Sequence, residues 1–376
     1  MKVTYIANSS IPSTSANSVH VMKICEAFKK QNIDIKLVVP DKGEKELLNG
    51  MDVYEFYGIK EKFPIKTYKI LKKMRGINLY LFYLNIVLKE KADVIYTREI
   101  MVSFFCILLK RPHILELHGK IKYVSNILNN LFNKFNLFNS KYMLKLVVIS
   151  KALKKIYIDE YKINENKISV LHDGVTIDNF KNLQPKELLK DKIEIGYIGS
   201  LYQGRGIDII LEIAKVYKDL NFNIYGGEEN QIKEWQNYCI DKNINNVKFY
   251  GHIPNKDVPN TLVKQDILLM PYQKKLQTRG VQNTASWMSP MKMFEYMASG
   301  RIIISSDLPV LREVLNENNS FLVSPDNIEE WIKTIEFILN NKKIAIKKAN
   351  QAKKDVLKYT WDSRVKKILE IIKENK

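Results

Sequence analysis

The sequence predicts an α/β protein with two Rossmann-like, doubly wound domains. Its 376 residues exceed what one hydrophobic core usually serves, so two domains of ordinary size are expected. Apolar runs of strand length alternate with amphipathic runs of helix length, which indicates mostly parallel sheets flanked by helices. A fresh series of such runs begins after the polar, proline-containing stretch KNLQPKELLKDK, and this break places the domain boundary near residue 185.

Strand-like runs occur on both sides of that boundary. The first half contains KVTYIA, DIKLVVP, DVIYTR, HILELH, LVVIS and ISVLHDGV, and the second contains IEIGYIG, FNIYGG, VKFYGH, DILLMPY, RIIISSD and SFLV. Between them lie helical stretches such as SVHVMKICEAFKKQ, whose apolar residues fall close to one face. The predicted domains are therefore residues 1–185 and 186–358, followed by a helix over 359–376 that crosses back to the first domain.

The net charge of +19 raises the prospect of anionic partners. Residues 60–75, KEKFPIKTYKILKKMR, interleave cations with apolar side chains. This pattern predicts a basic amphipathic segment on an anionic membrane surface, and a solvated helix face is the alternative. A nucleic-acid partner is not expected, because the chain carries no recognised binding motif.

Several patterns bear on location. No apolar run approaches the roughly 20 residues of a membrane-spanning helix, and the N-terminus lacks the pattern of a signal peptide. Cys25, Cys106 and Cys239 are far apart and without metal-ligand spacing, which fits a reducing compartment. We expect a cytoplasmic protein, with peripheral placement on the inner face of the cytoplasmic membrane as an extension of that expectation.

A glycine-bearing loop follows the strand YIG. The strand ends at Gly199, Gly204 and Gly206 bracket Arg205, and a helix begins near Ile207. Backbone N–H groups, a helix N-terminus and a cation suit a phosphate group. The spacing matches neither the dinucleotide fingerprint nor the nucleoside-triphosphate loop, and an ordinary tight turn is the alternative.

The stretch SPMKMFEYMASG predicts a helix with one acid among apolar residues. Ser289 suits the N-cap, Pro290 the helix start and Gly300 the exit. Glu295 lies near Lys292 on the same surface. A carboxylate at a strand-end cleft is costly unless it is hydrogen-bonded, and a ribose diol would supply the bonds; an exposed surface glutamate is the alternative.

Two other strand ends carry polar or glycine residues. Gly226 and Gly227 follow FNIY, and His252 follows VKFYG. Ligands of open α/β sheets bind at the carboxyl ends of the strands. Taken alone, however, the glycines are better interpreted as a turn and the histidine as structural.

Taken in order, the segments from YIGSLYQGRGIDIIL to SPMKMFEYMASGRIIISSDLPVLREVL resemble the donor-binding domain of bacterial family-4 glycosyltransferases of the GT-B fold. The resemblance is most specific for residues 195–315. It continues upstream through VVISKALKKIYIDEYKINENKISVLHDGVTIDNF to the N-terminal YIANSSIPSTSANSVHVMKICEAFKKQ. It implies two Rossmann-like domains facing a cleft, with the acceptor bound by 1–185 and the donor by 186–358.

The resemblance also implies roles for individual residues. Arg205 stands where the family has a lysine that binds the donor diphosphate, and Glu295 matches a glutamate expected to hold the ribose hydroxyls. His118 matches a histidine near the transferred sugar. The implied catalytic residues are His118, Arg205 and Lys292. The implied donor site comprises Gly199, Ser200, Arg205, Gly226, His252, Ile253, Met288, Ser289, Lys292 and Glu295. The implied substrate-binding residues of the first domain are Ser10, Asn17, His20 and His118.

Two positions depart from the family pattern. Trp287 stands where the family has the first glutamate of a pair, and Ser200 stands where it usually has an arginine. Related sequences with SP and a lysine in this region suggest that the backbone near Met288 and Ser289, with Lys292, still lines the pocket. No catalytic nucleophile or base is assigned to Trp287.

The activity implied by the resemblance is transfer of a sugar from a nucleotide-diphosphate sugar to a glycan or lipid-linked acceptor, with retention. A UDP-sugar is the favoured donor and a GDP-sugar the other option. No cofactor is expected, and no metal either, because no two aspartates are separated by a single residue. A nucleotide-sugar epimerase of the same fold, a basic nucleic-acid-binding protein and an inactive paralogue stay open as alternatives.

Overall fold

Residues Met1–Asp173 and Trp361–Lys376 form one unit of the computed structural model, and Gly174–Thr360 form the second. The sequence analysis places the boundary near residue 185, whereas the second unit already begins at Gly174. The structure describes residues 1–69, 77–121, 132, 134–190, 192–276 and 283–375.

The strands of the described residues form two sheets. In chain order they are β1 (Lys2–Ile6), β2 (Asp34–Pro40), β3 (Ile65–Tyr68), β4 (Val94–Thr97), β5 (His113–Leu117), β6 (Met143–Val148), β7 (Ile168–Val170), β8 (Glu194–Ile198), β9 (Asn221–Tyr225), β10 (Val247–Gly251), β11 (Ile267–Met270), β12 (Ile302–Ser306) and β13 (Phe321–Val323). The first sheet has the order β3-β2-β1-β4-β5-β6-β7 and the second β10-β9-β8-β11-β12-β13. Neighbouring strands pair in parallel, and the order reverses beside β1 and β8, where ligands of such sheets bind.

Helices connect the strands. In chain order they are α1 (Ala16–Lys30), α2 (Val53–Phe56), α3 (Ile77–Lys89), α4 (Ile100–Leu108), α5 (Lys151–Asp159), α6 (Ile207–Val216), α7 (Glu229–Asp241), α8 (Val258–Leu262), α9 (Met291–Ser299), α10 (Ile328–Asn340), α11 (Lys342–Asp355) and α12 (Trp361–Glu374). The predicted doubly wound α/β class is confirmed, because strands and helices alternate around parallel sheets in both units. No described helix is both long and apolar enough to cross a bilayer.

The core of the first unit is centred on β1 and β4. Tyr5 and Tyr96 are opposite each other in the parallel register, fully buried, and their rings meet edge to face at 4.9 Å. The strand β5 beside them is also buried and carries one acid, Glu116. This central position holds the residues that follow β5 at the carboxyl edge of the sheet.

The C-terminal helix α12 belongs to the first unit. Its buried residues include Trp361, Val365 and Ile368, which repeat at helical spacing and form one apolar face. Arg364 lies on the same face and donates from Nη1 to the backbone oxygens of Leu171 and of His172, the latter at 2.6 Å. The helix thereby brings a buried cation to the carboxyl end of β7.

The core of the second unit surrounds β8 and β11. Ile195, Phe222, Ile267 and Ile302 come from adjacent strands and are essentially inaccessible to solvent. Two loop ends approach closely at the carboxyl edge of this sheet. A Cβ atom on Gly226, which has a φ of 108°, would overlap the backbone oxygen of Gly199, so only glycine fits there.

Part of the basic segment 60–75 forms a strand and not an amphipathic helix. Ile65–Tyr68 pair with β2 as the edge strand β3, since the β-branched Ile65 and Thr67 and the aromatic Tyr68 favour extended backbone. Lys66 Nζ donates to the buried Glu90 Oε1 at 2.9 Å. Residues 70–75 lie outside the described part, so the membrane-binding hypothesis stays a prediction there.

Candidate active site

The glycine-bearing loop of the second unit packs tightly at the carboxyl end of β8. The Gly199 N–H donates to Tyr225 O at 2.9 Å, and the Tyr197 hydroxyl donates to Ser200 O at 2.7 Å. Gly206 caps α6 with a φ of 78°, and a Cβ atom there would overlap the backbone oxygen of Pro271. The loop conformation is therefore fixed by its glycines and by the strand ends beneath it.

Two basic side chains converge on this loop. Lys292 comes from the first turn of α9, and its Nζ lies 3.9 Å from the centre of the Tyr197 ring and 5.3 Å from that of Tyr272. The Arg205 guanidinium carbon lies 5.2 Å from the centre of the same Tyr272 ring. A Cβ atom on Gly199 would overlap the Lys292 amine, so the absent side chain at residue 199 makes room for it.

Neither basic side chain has its hydrogen-bonding capacity met. Within the described residues, Lys292 Nζ and Arg205 Nε are buried atoms without a hydrogen-bond partner. Burial first, and then the charge of Arg205, hold the Lys292 pKa well below its ordinary value of 10.5, while Glu295 acts in the opposite direction. Buried polar groups are costly when unpaired, so this arrangement favours an anion as ligand.

The helix α9 begins one residue later than the sequence predicts. Pro290 is the N-cap, with φ −74° and ψ 123°, and the helix starts at Met291 instead of at Pro290; Ser289 is therefore not the N-cap. The fixed φ of proline suits either position, which explains the shift. Gly300 ends the helix in the left-handed conformation, as predicted.

The remaining predicted donor-site residues lie around this loop at different depths. The Gly226 N–H, after β9, donates to Gly251 O at the end of β10 at 2.6 Å. Together with the bond from Gly199 N–H to Tyr225 O, this contact holds the ends of β8, β9 and β10 side by side. His252 is exposed and Ile253 half-buried after β10, the edge strand. Met288 and Ser289 are buried just before α9, together with Trp287, and Glu295 is half-buried on α9. Thus Gly199, Ser200, Arg205, Gly226 and Lys292 come together, whereas His252 lies two strands away from β8.

In the first unit, a buried carboxylate collects four side chains. Glu116 is completely buried; its Oε2 accepts from the Tyr96 hydroxyl and its Oε1 accepts from His118 Nε2. Arg364 Nη2 lies 2.9 Å and His20 Nε2 lies 2.8 Å from the same Oε1. The two predicted residues His20 and His118 thus lie in one cluster, and their rings meet edge to face at 4.6 Å.

Acidic and basic groups face one another in this cluster. His20 Nδ1 lies 3.0 Å from Asp173 Oδ1. Burial alone would raise the Glu116 pKa, but Arg364, His20 and His118 hold it well below its ordinary value. Burial likewise opposes a charged Arg364, yet Glu116 and other neighbours raise its pKa. The Glu116 carboxylate therefore stays ionised inside the protein.

His118 is held in its uncharged form. Burial first, and then the positive charge of Arg98, lower its pKa to about 4 despite the contact with Glu116. Its side chain keeps 21% of its surface exposed, so a ligand can reach the ring. Arg98 also donates to Asn17 Oδ1 at 2.5 Å, and the Ser18 hydroxyl donates to Ser10 O at 2.6 Å, which orders the turn after β1.

The donor types of His20, Glu116 and His118 are those of a zinc site. One ligand atom from each lies within 4.8 Å of the others. However, the Glu116 oxygen that would bind a cation already faces the Arg364 guanidinium at 2.9 Å. A positive charge in that place disfavours a metal ion, and the cluster fits an ion-pair network better.

Sequence reasoning missed the residues that support the predicted ones. Glu116 and Arg364 were not identified, and neither were the rings of Tyr197 and Tyr272. The one signal for Glu116 is an acid inside the otherwise apolar strand HILEL, because a buried acid is seldom left unpaired. Arg364 lies some 250 positions from Glu116 in the chain, beyond any local pattern.

Two family models match the chain. One, described as Glycosyltransferase Family 4, matches residues 18–179, and the other, described as Glycosyl transferases group 1, matches residues 192–341. Together they match well over half of the sequence, one on each unit. The chain belongs to the family-4 glycosyltransferases. Its fold is GT-B, with a parallel-sheet α/β domain in each half.

Relatives of this glycosyltransferase cover most of its length at low identity. A protein of Haemophilus influenzae, named as an uncharacterized glycosyltransferase, is 23% identical over 347 residues, which is 88% of this chain and 89% of the relative. The UDP-Gal:alpha-D-GlcNAc-diphosphoundecaprenol alpha-1,3-galactosyltransferase of Escherichia coli is 24% identical over 376 residues, 92% of this chain and 90% of the relative.

A solved structure supports the same fold for this glycosyltransferase. Alr3699/HepE of Anabaena, determined in complex with UDP and also with UDP-glucose, superposes with a TM-score of 0.75 in its UDP complex. That superposition covers 100% of both chains at 15% identity.

Proposed function

We propose that this glycosyltransferase moves a sugar from a nucleotide-diphosphate sugar, with a UDP-sugar favoured over a GDP-sugar, to a hydroxyl of a glycan or lipid-linked acceptor in cell-surface polysaccharide or glycoconjugate assembly. The observation that carries the donor assignment is the pair of cations, Arg205 and Lys292, at the Gly199 loop. The Lys292 amine is buried and unpaired in the described residues, and an anion bound beside it would favour its protonated form and accept its hydrogen bonds.

The donor diphosphate is the anion that this pair suits. When the sugar leaves, negative charge grows on the diphosphate, and cations fixed in advance stabilise that charge without reorganising. Arg205 and Lys292 both lie within 5.3 Å of the centre of the Tyr272 ring, so one diphosphate could contact both. Preorganised donors of this kind contribute roughly 3 kcal/mol each to lowering a reaction barrier.

The nucleotide is proposed to lie along the ends of β8, β9 and β10. Glu295, three residues after Lys292 on α9, would accept hydrogen bonds from the ribose hydroxyls. The backbone at Ser200, Gly226, Met288 and Ser289 would line the phosphates and sugar, and His252 and Ile253 would meet the base. Uridine is favoured because the Anabaena structural neighbour binds UDP and UDP-glucose and the E. coli relative is named for a UDP-sugar.

The acceptor is proposed to be a saccharide on a lipid diphosphate. The E. coli relative is named for such an acceptor, and a chain with a net charge of +19 would be attracted to anionic lipid headgroups. Peripheral attachment at the inner face of the cytoplasmic membrane, involving residues 60–75, follows from this proposal. His118, Ser10 and Asn17 of the first unit would contact the acceptor or the transferred sugar. His20, also predicted to bind substrate, is buried against Glu116 and Asp173 and would act only through the His118 ring.

The transfer is proposed to retain the anomeric configuration of the sugar, as the resemblance to the family implies. The acceptor hydroxyl would attack the face from which the diphosphate departs, and a phosphate oxygen of the donor would take the proton. The chain's own residues then bind, orient and exclude water, and no protein base is needed. Lys292 and Arg205 assist by holding the departing diphosphate.

A thermal-shift screen tests the donor class. UDP, GDP, CDP and dTDP are compared, and UDP is expected to raise the melting temperature, because a ligand that binds only folded protein stabilises it. Arg205→Ala should abolish the shift. The matched control Lys215→Met, on α6 and paired with Glu212, should preserve it. The absence of a shift with every diphosphate would contradict the donor assignment.

Product analysis distinguishes transfer from isomerisation. The protein is incubated with UDP-hexoses, with and without a lipid-diphosphate saccharide. We expect UDP release and a longer saccharide only when the acceptor is present, with the donor's anomeric configuration kept in the product. A change in the sugar of the donor without acceptor would instead indicate an epimerase.

A further inference from the structure

We infer that Glu116 and Arg364 are positioning residues that fix the ring hydrogen of His118 on Nε2, so that Nδ1 accepts a hydrogen bond from a hydroxyl of the substrate. This inference deepens the proposed function and rests on it for the identity of the hydroxyl. The assignment of the ring hydrogen stands on the contacts and charges of the first unit.

Glu116 cannot rotate away from His118. Its Oε2 is held by the Tyr96 hydroxyl, and its Oε1 faces both His118 Nε2 and Arg364 Nη2, the latter at 2.9 Å. Arg364 in turn is anchored through Nη1 to the backbone oxygens of Leu171 and His172. The C-terminal helix α12 thereby sets the orientation of a carboxylate on β5.

The state of Glu116 decides which nitrogen of His118 carries the hydrogen. An ionised carboxylate only accepts hydrogen bonds, so the ring nitrogen that faces it must be the donor. Burial and the charge of Arg98 keep the His118 ring neutral at ordinary pH, so the other nitrogen, Nδ1, has a lone pair. In the described part of the chain, no group donates to Nδ1, and 21% of the side chain is exposed.

The charged neighbours of His118 support the same assignment. The ring faces Glu116 on β5, Arg98 after β4 and the His20 ring of α1. Asp173 and Arg364 reach the cluster through His20 and Glu116. Because Nε2 donates to the Glu116 carboxylate, the opposite nitrogen, Nδ1, can accept a hydrogen bond from a hydroxyl of the ligand. A ring with a pKa near 4 is a weak base at neutral pH, so its part is to orient that hydroxyl.

Two amide substitutions at His118 distinguish the role of Nδ1 from that of Nε2. An asparagine side chain places its amide oxygen where Nδ1 of histidine lies, whereas glutamine reaches the position of Nε2. We expect His118→Asn to keep most of kcat/KM and His118→Gln to lose roughly 10- to 100-fold, as for one hydrogen bond left unmade. The reverse order would show that His118 acts only by satisfying Glu116 and would overturn the inference.

Nitrogen NMR of the imidazole reads the ring hydrogen directly. The chain has five histidines, and the His118 signals are those lost in His118→Asn. We expect hydrogen on Nε2 in the wild type and a mixture of both forms in Glu116→Gln, with a lower kcat/KM. The control Glu90→Gln removes another buried acid of the first unit, paired with Lys36 and Lys66, and should change neither property.

A second variant keeps the test informative if Glu116→Gln does not fold. Arg364→Lys retains a cation beside Glu116 but loses the Nη1 bonds to the backbone oxygens of Leu171 and His172, and a partial shift of the ring hydrogen is expected. Hydrogen on Nδ1 in the wild type would refute the inference even if sugar transfer is observed. A wild type with hydrogen on Nε2 but without any transfer would instead refute the proposed function.

Discussion

Lys292 Nζ lies 3.9 Å from the centre of the Tyr197 ring and occupies the space that a side chain at residue 199 would need. The aromatic ring, the glycine and the lysine are therefore in mutual contact. Tyr272 adds a second ring at 5.3 Å and also faces Arg205. This arrangement stabilises a buried amine that has no hydrogen-bond partner in the described structure.

Replacement of Lys292 by methionine is expected to stabilise the ligand-free protein while weakening UDP binding. The substitution keeps an unbranched side chain against Tyr197 but removes a buried polar group. Each kcal/mol gained in the free energy of unfolding should raise the melting temperature by about 2–4 °C. Scanning calorimetry without ligand measures this effect. A lower melting temperature for the variant would show that Lys292 is a structural residue.

The free energy of unfolding of the second unit should rise with pH in the wild type. In Lys292→Met, the contribution of residue 292 to this rise should be absent. The folded pKa of Lys292 is well below 10.5, so between that value and 10.5 the unfolded chain binds more protons than the folded one. Stability increases with pH wherever the unfolded state binds more protons. Denaturant unfolding at a series of pH values below 10.5 measures the slope. Identical slopes for both proteins would contradict the burial of an uncharged amine.

The ring of Tyr197 is expected to matter more than its hydroxyl. Tyr197→Phe keeps the face that contacts Lys292 and loses only the bond to Ser200 O. Tyr197→Leu loses the ring, and a desolvated cation–π contact contributes about 2 kcal/mol. We expect Kd for UDP to rise several-fold more in Tyr197→Leu than in Tyr197→Phe. Equal affinities in the two variants would mean that the ring does not position Lys292.

A side chain at Gly226 should disrupt the loop after β8. Its φ of 108° is unfavourable for other residues, and a Cβ atom would overlap the backbone oxygen of Gly199. Gly226→Ala is expected to cost roughly 1–3 kcal/mol in the free energy of unfolding and to weaken UDP binding. The control Gly50→Ala has a similar φ of 82° but open space around it. If both variants lose equal stability, the close approach to Gly199 is unimportant.

Replacement of Arg364 should lower the free energy of unfolding of the first unit far more than replacement of a surface cation. Arg364→Met leaves the buried Glu116 charge without its main partner, at a cost of about 3–5 kcal/mol. Lys62→Met removes an exposed pair with Asp52 and should cost at most about 1 kcal/mol. Because Glu116 has a lowered folded pKa, its contribution is present above its ordinary value of 4.5 and is lost as the pH falls below it. Urea unfolding at neutral and acid pH compares the two variants.

The sequence was sufficient for the fold class and for every described strand except β3, because the apolar runs of those strands are continuous and bounded by turn residues. It missed β3, since Ile65–Tyr68 lie among lysines whose charge suggested a membrane-facing segment. The strand forms because it pairs with β2 and because Lys66 Nζ donates a hydrogen bond to the Glu90 carboxylate. Both contacts are long-range, so no local pattern contains them.

The loop of the donor site could be predicted, but its supports could not. The glycines around Arg205 are visible in the sequence because they bracket a cation at a strand end. The rings of Tyr197 and Tyr272 read as ordinary core residues, and their contact with Lys292 depends on how β8, β11 and α9 pack. Likewise, Glu116 and Arg364 meet only after α12 returns to the first unit.

The most direct test of the donor-diphosphate assignment is a calorimetric comparison of UDP, UMP and uridine. If Arg205 and Lys292 bind the diphosphate, UDP should bind at least about tenfold more tightly than UMP, since hydrogen bonds to charged groups contribute about 1.5–3 kcal/mol. In Lys292→Met that preference should largely disappear, whereas Lys215→Met should retain it. Equal affinity of the wild type for UDP and uridine, or an unchanged preference in Lys292→Met, would contradict the account.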